Sequence, residues 1–393
     1  MAAIVRPSGS HQWKICAGSH DMQQKFPEIS GRHDNTASEQ GTAAHWVSSD
    51  VILDAYINGK DVPKSHNIVG TEAENGVLID EEMFEAASGY AMEILKHLRG
   101  YLTYKDLHVE EKVKLDHIYP GMSGTPDAWL YDAGTKTLYI WDLKFGHGWV
   151  EVFENSQLII YVSGILQTLP KDPDIKVVMT IYQPRAFHPE GICRKWEIEA
   201  TALRSYVNQL HHSAHIAMGE GEKECKSGTH CRYCSARRAC KALQGTVYNS
   251  IDVVTGNIPM EIPMDEIGNE IVLLKRVSSL IKHRLDALEE EALFHIKKGE
   301  VVPGLGAKTK FGRKRWKADI DPDEVIMMGD LMGVDLRKPQ QLDTPTQAKN
   351  KLKKLKLDES VVDAYSEVPK SGVELVIDDT TKIKQIFGRN KGE

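Results

Sequence analysis

Gly124-Thr-Pro-Asp-Ala-Trp129 and, one short turn later, Trp141-Asp-Leu-Lys-Phe-Gly146 decide how this chain is read. Thr125 to Tyr131 and Leu138 to Phe145 are rich in aromatic and β-branched residues, which predicts two strands. Asp132-Ala-Gly-Thr-Lys136 between them is a turn signal. With the turn centred between Gly134 and Thr135, antiparallel pairing sets Asp127 opposite Asp142 and Thr125 opposite Lys144. Asp142 and Lys144 are two apart and share a strand face. A loop one residue longer or shorter would shift the pairing by one.

The chemistry follows from charge. Two carboxylates on adjacent strands repel unless a cation lies between them. Hard oxygen ligands with open positions suit Mg2+ or Mn2+. Such an ion polarises a phosphoryl oxygen and acidifies a bound water. Lys144 is then placed to orient that water or to neutralise charge in the transition state. Asp127, Asp142 and Lys144, with no thiol or serine partner, suggest metal-assisted hydrolysis of a phosphodiester. The bland alternative is a surface hairpin whose charges form exposed ion pairs worth little.

More residues join this set. Gln157 and Tyr161, in Asn155-Ser-Gln-Leu-Ile-Ile-Tyr161, share one face of a predicted helix. His45, in Gly41-Thr-Ala-Ala-His45, lies in a segment with a helical pattern and a cap near Ser38, and is a candidate nitrogen ligand. The order and spacing of Gly41-x-x-x-His45, Gly124-x-x-Asp127, Asp142-x-Lys144 and Gln157-x-x-x-Tyr161 resemble the PD-(D/E)XK nuclease superfamily, in its RecB-like branch. The resemblance implies an α/β fold with a mixed central sheet flanked by helices. It implies metal ligation by His45, Asp127, Asp142 and the Leu143 carbonyl, catalysis by Lys144, and DNA positioning by Gln157 and Tyr161. Glu110, in Val109-Glu-Glu-Lys-Val113, matches a further acidic position of some members over too short a stretch to be counted.

The cysteines are the second feature. Cys225, Cys231, Cys234 and Cys240 lie within 16 residues. With no signal peptide expected, a disulfide framework is disfavoured and a metal centre is expected. Cys231, Cys234 and Cys240 need a fourth ligand, for which Cys225 is the local candidate and Cys16 the distant one. Spacing does not separate zinc from iron–sulfur, since both accept four thiolates. Iron–sulfur members of the RecB-like branch place one cysteine before the core and three after it. That layout implies a [4Fe–4S] cluster on Cys16, Cys231, Cys234 and Cys240, with Zn2+ as the alternative. Cys193 is isolated and reads as a buried or incidental thiol.

At 393 residues the chain is long enough for two domains. The expected division is a nuclease core closed by the cysteine centre over 1–250 and a helical or mixed C-terminal extension over 251–393. The extension is predicted to hold one long helix, Asp265 to Lys298, stopped by Gly299. On it a stripe of Leu274, Val277, Ile281, Leu285 and Leu288 is expected to pack on the core. Ile251 to Pro263 reads as loop. The net charge of −7 does not advertise a DNA-binding protein, though a nuclease needs only a local basic groove. Lys308 to Lys317, with Phe311 and Trp316, is a candidate strand-binding segment or a solvated basic stretch. Lys349 to Lys356 reads as an exposed helix face. No apolar run is long enough for a membrane span.

The whole chain is similar to a phage-associated group of RecB-like nucleases. The expectation is therefore a cytoplasmic DNA exonuclease of a phage-infected bacterium, acting in recombination or DNA processing, with DNA and a recombination or single-strand-binding protein as partners. The rivals are a nucleic-acid-binding protein with an idle nuclease site, and a zinc-stabilised recombination adaptor working through its long helix.

Overall fold

The computed structural model describes residues 5–28, 36–98, 100–254 and 264–308, with isolated residues beyond. Its helices are α1 (Ser10–Trp13), α2 (Ser19–Lys25), α3 (Thr36–Trp46), α4 (Asp54–Ile57), α5 (Ser65–Ile68), α6 (Glu81–Leu95), α7 (Ser156–Ile165), α8 (Arg204–Met218), α9 (Lys241–Val254) and α10 (Met264–Lys297). Its strands are β1 (Leu107–Val109), β2 (Val113–Lys114), β3 (Ser123–Gly124), β4 (Ala128–Asp132), β5 (Thr137–Leu143), β6 (Lys176–Tyr182) and β7 (Cys193–Glu199).

Five strands form a mixed sheet in the order β1-β4-β5-β6-β7, and β2 and β3 pair separately. β5 and β6 are parallel, joined by a crossover that contains α7, while the other neighbours are antiparallel. Alternation along β5 sends its residues to two cores. Leu138 and Ile140 face Leu158, Val162 and Ile165 of α7 and Leu210 and Ala214 of α8. Trp141 and Leu143 face Met83, Ala87, Tyr90 and Ile94 of α6 and Ala43 and Ala44 of α3. The sheet is thus covered on both faces, which makes the molecule α/β with a mixed sheet between helices.

The hairpin register matches the expected one. Ala128 faces Trp141 and Asp132 faces Thr137, a turn centred between Gly134 and Thr135. The strand expected from Thr125 to Tyr131 instead begins at Ala128, and β3 ends before it at Gly124. Pro126 has no N–H to give to a ladder, and the Asp127 carboxylate turns to accept from the Leu143 backbone N–H at 2.7 Å.

The long helix also corrects the sequence reading. It buries Leu280, His283 and Ala287, whereas Leu274, Ile281, Leu285 and Leu288 are exposed and Val277 is half-buried. The buried face is fixed by polar contacts: Arg237 forks onto the Glu290 carboxylate at 2.8 and 2.9 Å, and Arg284 donates to the Arg237 carbonyl. Hydrophobicity alone therefore named the wrong stripe. Gly299 follows the helix at φ +87°, as a left-handed stop requires.

Among the described residues, contacts gather α10 into one unit with the sheet and the helices before it. α9 also runs on to Val254, into the stretch read as loop. Apart from Lys308 and Leu352, the basic runs 308–317 and 349–356 lie outside the described residues. Among the described residues no helix is long and apolar enough to cross a membrane.

Candidate metal site

Each charged side chain of the site is positioned by a distinct local device. Asp127 stands just before β4, where its carbonyl accepts from the Glu110 N–H at 3.1 Å. Glu110, just after β1, has φ +50°, a left-handed conformation that costs a non-glycine residue about 1 kcal/mol or more. His45 closes α3, and its carbonyl is taken by the hydroxyls of Ser48 and Ser49 at 2.9 and 2.8 Å. The helix then widens into a π-helical stretch, Val47–Leu53, a departure that recurs at functional sites.

These devices bring three ligand types together. His45 Nδ1 lies 3.4 Å from Asp127 Oδ2 and 3.9 Å from Glu110 Oε1. Among the described residues, His45, Glu110 and Asp127 form the one set of three or more such ligand atoms within 4.8 Å of one another. Burial and the Asp127 charge, opposed by His45, push the Glu110 carboxyl up to about 7. A carboxylate whose ionisation is resisted in this way is stabilised by an added cation.

Asp142 and Lys144 adjoin this set at the end of β5. Lys144 Nζ donates to Asp142 Oδ1 at 2.9 Å, and Gln157 Nε2 from the first turn of α7 donates to the same oxygen at 3.3 Å. Asp142 Oδ2 is buried, and Lys144 Nζ lies 2.9 Å from it as well. Burial first, and Asp127 with it, raises the Asp142 carboxyl, against the pull of Lys144. Burial would lower Lys144, but the Asp142 and Asp127 charges overcome it and keep the ammonium charged. The donor set of one imidazole and two carboxylates, with the Asp142 carboxylate adjoining it, fits a hard divalent cation.

The packing explains why Gly124 and Tyr161 occur together. A Cβ on Gly124 would stand 2.6 Å from Tyr161 Cε1 and 2.9 Å from Pro7 Cγ. The bare backbone lets the Tyr161 ring lie over the approach to Asp127. Burial and the Asp127 and Asp142 charges hold its phenol up, in the protonated form. Around Gly41 there is open space, and nothing in the structure explains that glycine. Glu110 is the residue the sequence undervalued. Its motif was too short to weigh, and its left-handed backbone leaves no trace in residue type.

Five cysteines converge elsewhere in the same unit. Cys16, Cys225, Cys231, Cys234 and Cys240 line one cavity with Gln12 and His230. The N-terminal segment reaches across because Ser10 Oγ donates to Ser156 Oγ at 2.8 Å and Gln12 Nε2 to the His230 carbonyl at 3.4 Å. The Lys226 N–H donates to Cys16 Sγ at 3.3 Å. Burial, then the neighbouring thiols, pushes Cys225 up to about 12, and burial takes Cys234 to about 11. The sulfurs share a cavity without closing to within 4.8 Å as a set of three. Both Cys16 and Cys225 are among the five thiols that line the cavity. Cys193 lies apart, on β7 beside the second core, where burial raises it to about 11.

A family model described as a protein of unknown function (DUF2800) matches residues 2–382. The match spans nearly the whole chain, and the chain belongs to that family.

Proposed function

We propose that this protein is a Mg2+- or Mn2+-dependent deoxyribonuclease of the PD-(D/E)XK type, working as an exonuclease in DNA recombination or processing in the cytoplasm. The observation that carries the reading is the convergence of His45, Glu110 and Asp127 beside the Lys144–Asp142 pair. Their order and spacing in the sequence support the same reading. His45, Glu110 and Asp127, with Asp142 and the Leu143 carbonyl, would hold a divalent ion, which would supply phosphoryl polarisation and acidification of water.

The chain's own residues do the rest. The Leu143 N–H holds Asp127 in place, and Gln157 holds Asp142. Lys144 is an ammonium at neutral pH and sits where it can donate to the attacking water or to the developing charge on phosphorus. Tyr161, protonated and packed on Gly124, limits how a DNA strand enters and is a hydrogen-bond donor toward a phosphate. The mixed sheet between helices supports the reading at the level of fold class. The thiol centre, as a [4Fe–4S] cluster or in the alternative as Zn2+, ties the N-terminal segment to the chain beyond α8. The shared cavity of Cys16 and the four downstream cysteines is what supports this part of the reading.

The test is cleavage of labelled single- and double-stranded oligonucleotides by anaerobically purified protein, with Mg2+, Mn2+ or chelator. Metal-dependent cleavage that Lys144→Ala abolishes supports the reading. Retained DNA binding without cleavage in either metal would favour a binding protein with an idle site.

A further inference from the structure

The loop that follows Lys144 carries a feature the metal site does not use. Three large aromatic side chains stand out in solvent there: Trp149 at 61 %, Phe187 at 87 % and Tyr233 at 63 % exposure. They come from three separate segments. The first two follow β5 and β6, whose parallel pairing delivers both C-terminal ends to the same edge. The third lies in the cysteine run, between Cys231 and Cys234.

The segments are built against one another. The Gln183 side chain, fully buried, donates to the Gly146 and Gly148 carbonyls at 2.9 and 2.7 Å and accepts from the Val150 N–H at 3.2 Å. Buried Arg194 donates to the Val150 carbonyl and to Gln183 Oε1. Trp149 packs on the His188 ring with centroids 5.0 Å apart, and Phe187 immediately precedes that histidine. A Cβ on Gly148 would stand 3.5 Å from Tyr233 Oη and 3.9 Å from Arg232 Nη1, so these side chains lie along the same loop. Exposed Arg232 lies over the Tyr233 ring, 5.2 Å from its centroid, and of the acids in these segments Glu151 and Glu82 are engaged by His188 and Arg185.

We propose that Trp149, Phe187 and Tyr233 form a stacking platform for the unpaired bases of a single DNA strand entering the metal site. This rests on the nuclease reading above for the strand's destination. Trp149 lies five positions after Lys144, a reach of at most about 18 Å. A strand lying on the rings therefore passes close to Asp142. Exposed rings beside an arginine suit single strands, because each unpaired base offers a face for stacking while the guanidinium meets phosphate. In duplex those faces are covered by neighbouring bases. The loop is pinned by buried Gln183 and Arg194, so the rings are held ready and little ordering is left for binding to supply.

The experiment reads binding without cleavage. Fluorescein-labelled 20-mers, single-stranded or as a blunt duplex, are titrated with the full chain in chelator, and anisotropy is followed. The single strand should bind about tenfold more tightly than the duplex. Trp149→Ala and Phe187→Ala should each weaken single-strand binding about five- to tenfold and duplex binding less than twofold, whereas Trp149→Phe should stay near wild type. All these side chains are exposed, so folding is expected to survive. Equal affinities across the variants, or equal losses on both DNAs, would overturn the platform. Selective loss by a chain that never cleaves in any metal would uphold the platform and sink the nuclease reading instead.

Discussion

Replacing Glu110 with Gln probes the metal site where its electrostatics are most legible. In the metal-free protein, burial and Asp127 hold the Glu110 carboxyl at about 7. It is therefore about one-tenth ionised at pH 6 and about nine-tenths ionised at pH 8. A cation that needs the ionised form should bind about tenfold more tightly at pH 8 than at pH 6, and binding at pH 7 should release about half a proton. Glu110→Gln should bind Mn2+ more weakly at pH 8 and lose most of this pH dependence. Calorimetry in two buffers of different ionisation enthalpy measures both quantities.

The same shift has a consequence for stability. The folded pKa lies above the unfolded value of 4.5, so the folded state binds the extra proton. Without metal, stability should fall as the pH rises from about 4.5 to about 7. The full shift would be worth about 3 kcal/mol, but the side chain is 39 % exposed and screening reduces this to about 1 kcal/mol. Glu110→Gln should lack that decline. A Mn2+ affinity that is flat with pH in the native protein, or unaltered in the variant, would refute the reasoning.

Gly164→Ala puts a Cβ 2.5 Å from Val113 Cγ1 and 2.9 Å from the Lys114 carbonyl, so it should destabilise by about 1–3 kcal/mol; an unmoved urea midpoint would deny the close approach of α7 to β2. Gln157→Ala removes a hydrogen bond to a charged oxygen and should slow single-turnover cleavage about tenfold with binding preserved, whereas an unchanged rate would leave Gln157 without a role. Cys231→Ala should lose the brown colour and iron of anaerobically purified protein, and zinc in stoichiometric amount without iron would reverse the choice of metal. Cys16→Ala should lose the centre while Cys225→Ala largely keeps it; the opposite pair would mean a local four-cysteine site.

The hairpin was legible because a two-residue period and a turn of fixed length leave little freedom. Once the turn is centred at Gly134 and Thr135, Ala128 must face Trp141 and the carboxylates of Asp127 and Asp142 must approach. α7 was legible as the helix that carries Gln157 and Tyr161 on one face. Glu110 was not legible, because its place depends on one left-handed residue and a long-range bond to Asp127. Nor was the buried face of α10. Leu274, Ile281, Leu285 and Leu288 form the more apolar stripe, but the Arg237–Glu290 pair and the Arg284 contact turn the helix the other way. The gathering of Cys16 with the four downstream cysteines follows from tertiary bonds of Ser10 and Gln12 that no spacing reveals.

The central claim is that the charged set at the end of β5 hydrolyses phosphodiesters with a divalent ion. Its most direct test is single-turnover cleavage of a 5′-labelled single strand in Mn2+ by the native chain and by Asp142→Asn, with circular dichroism to verify that both are folded. The account predicts metal-dependent shortening by the native chain and at least about a thousandfold loss in the variant. Cleavage by Asp142→Asn at near the native rate, or none by the native chain in either Mn2+ or Mg2+, would contradict it.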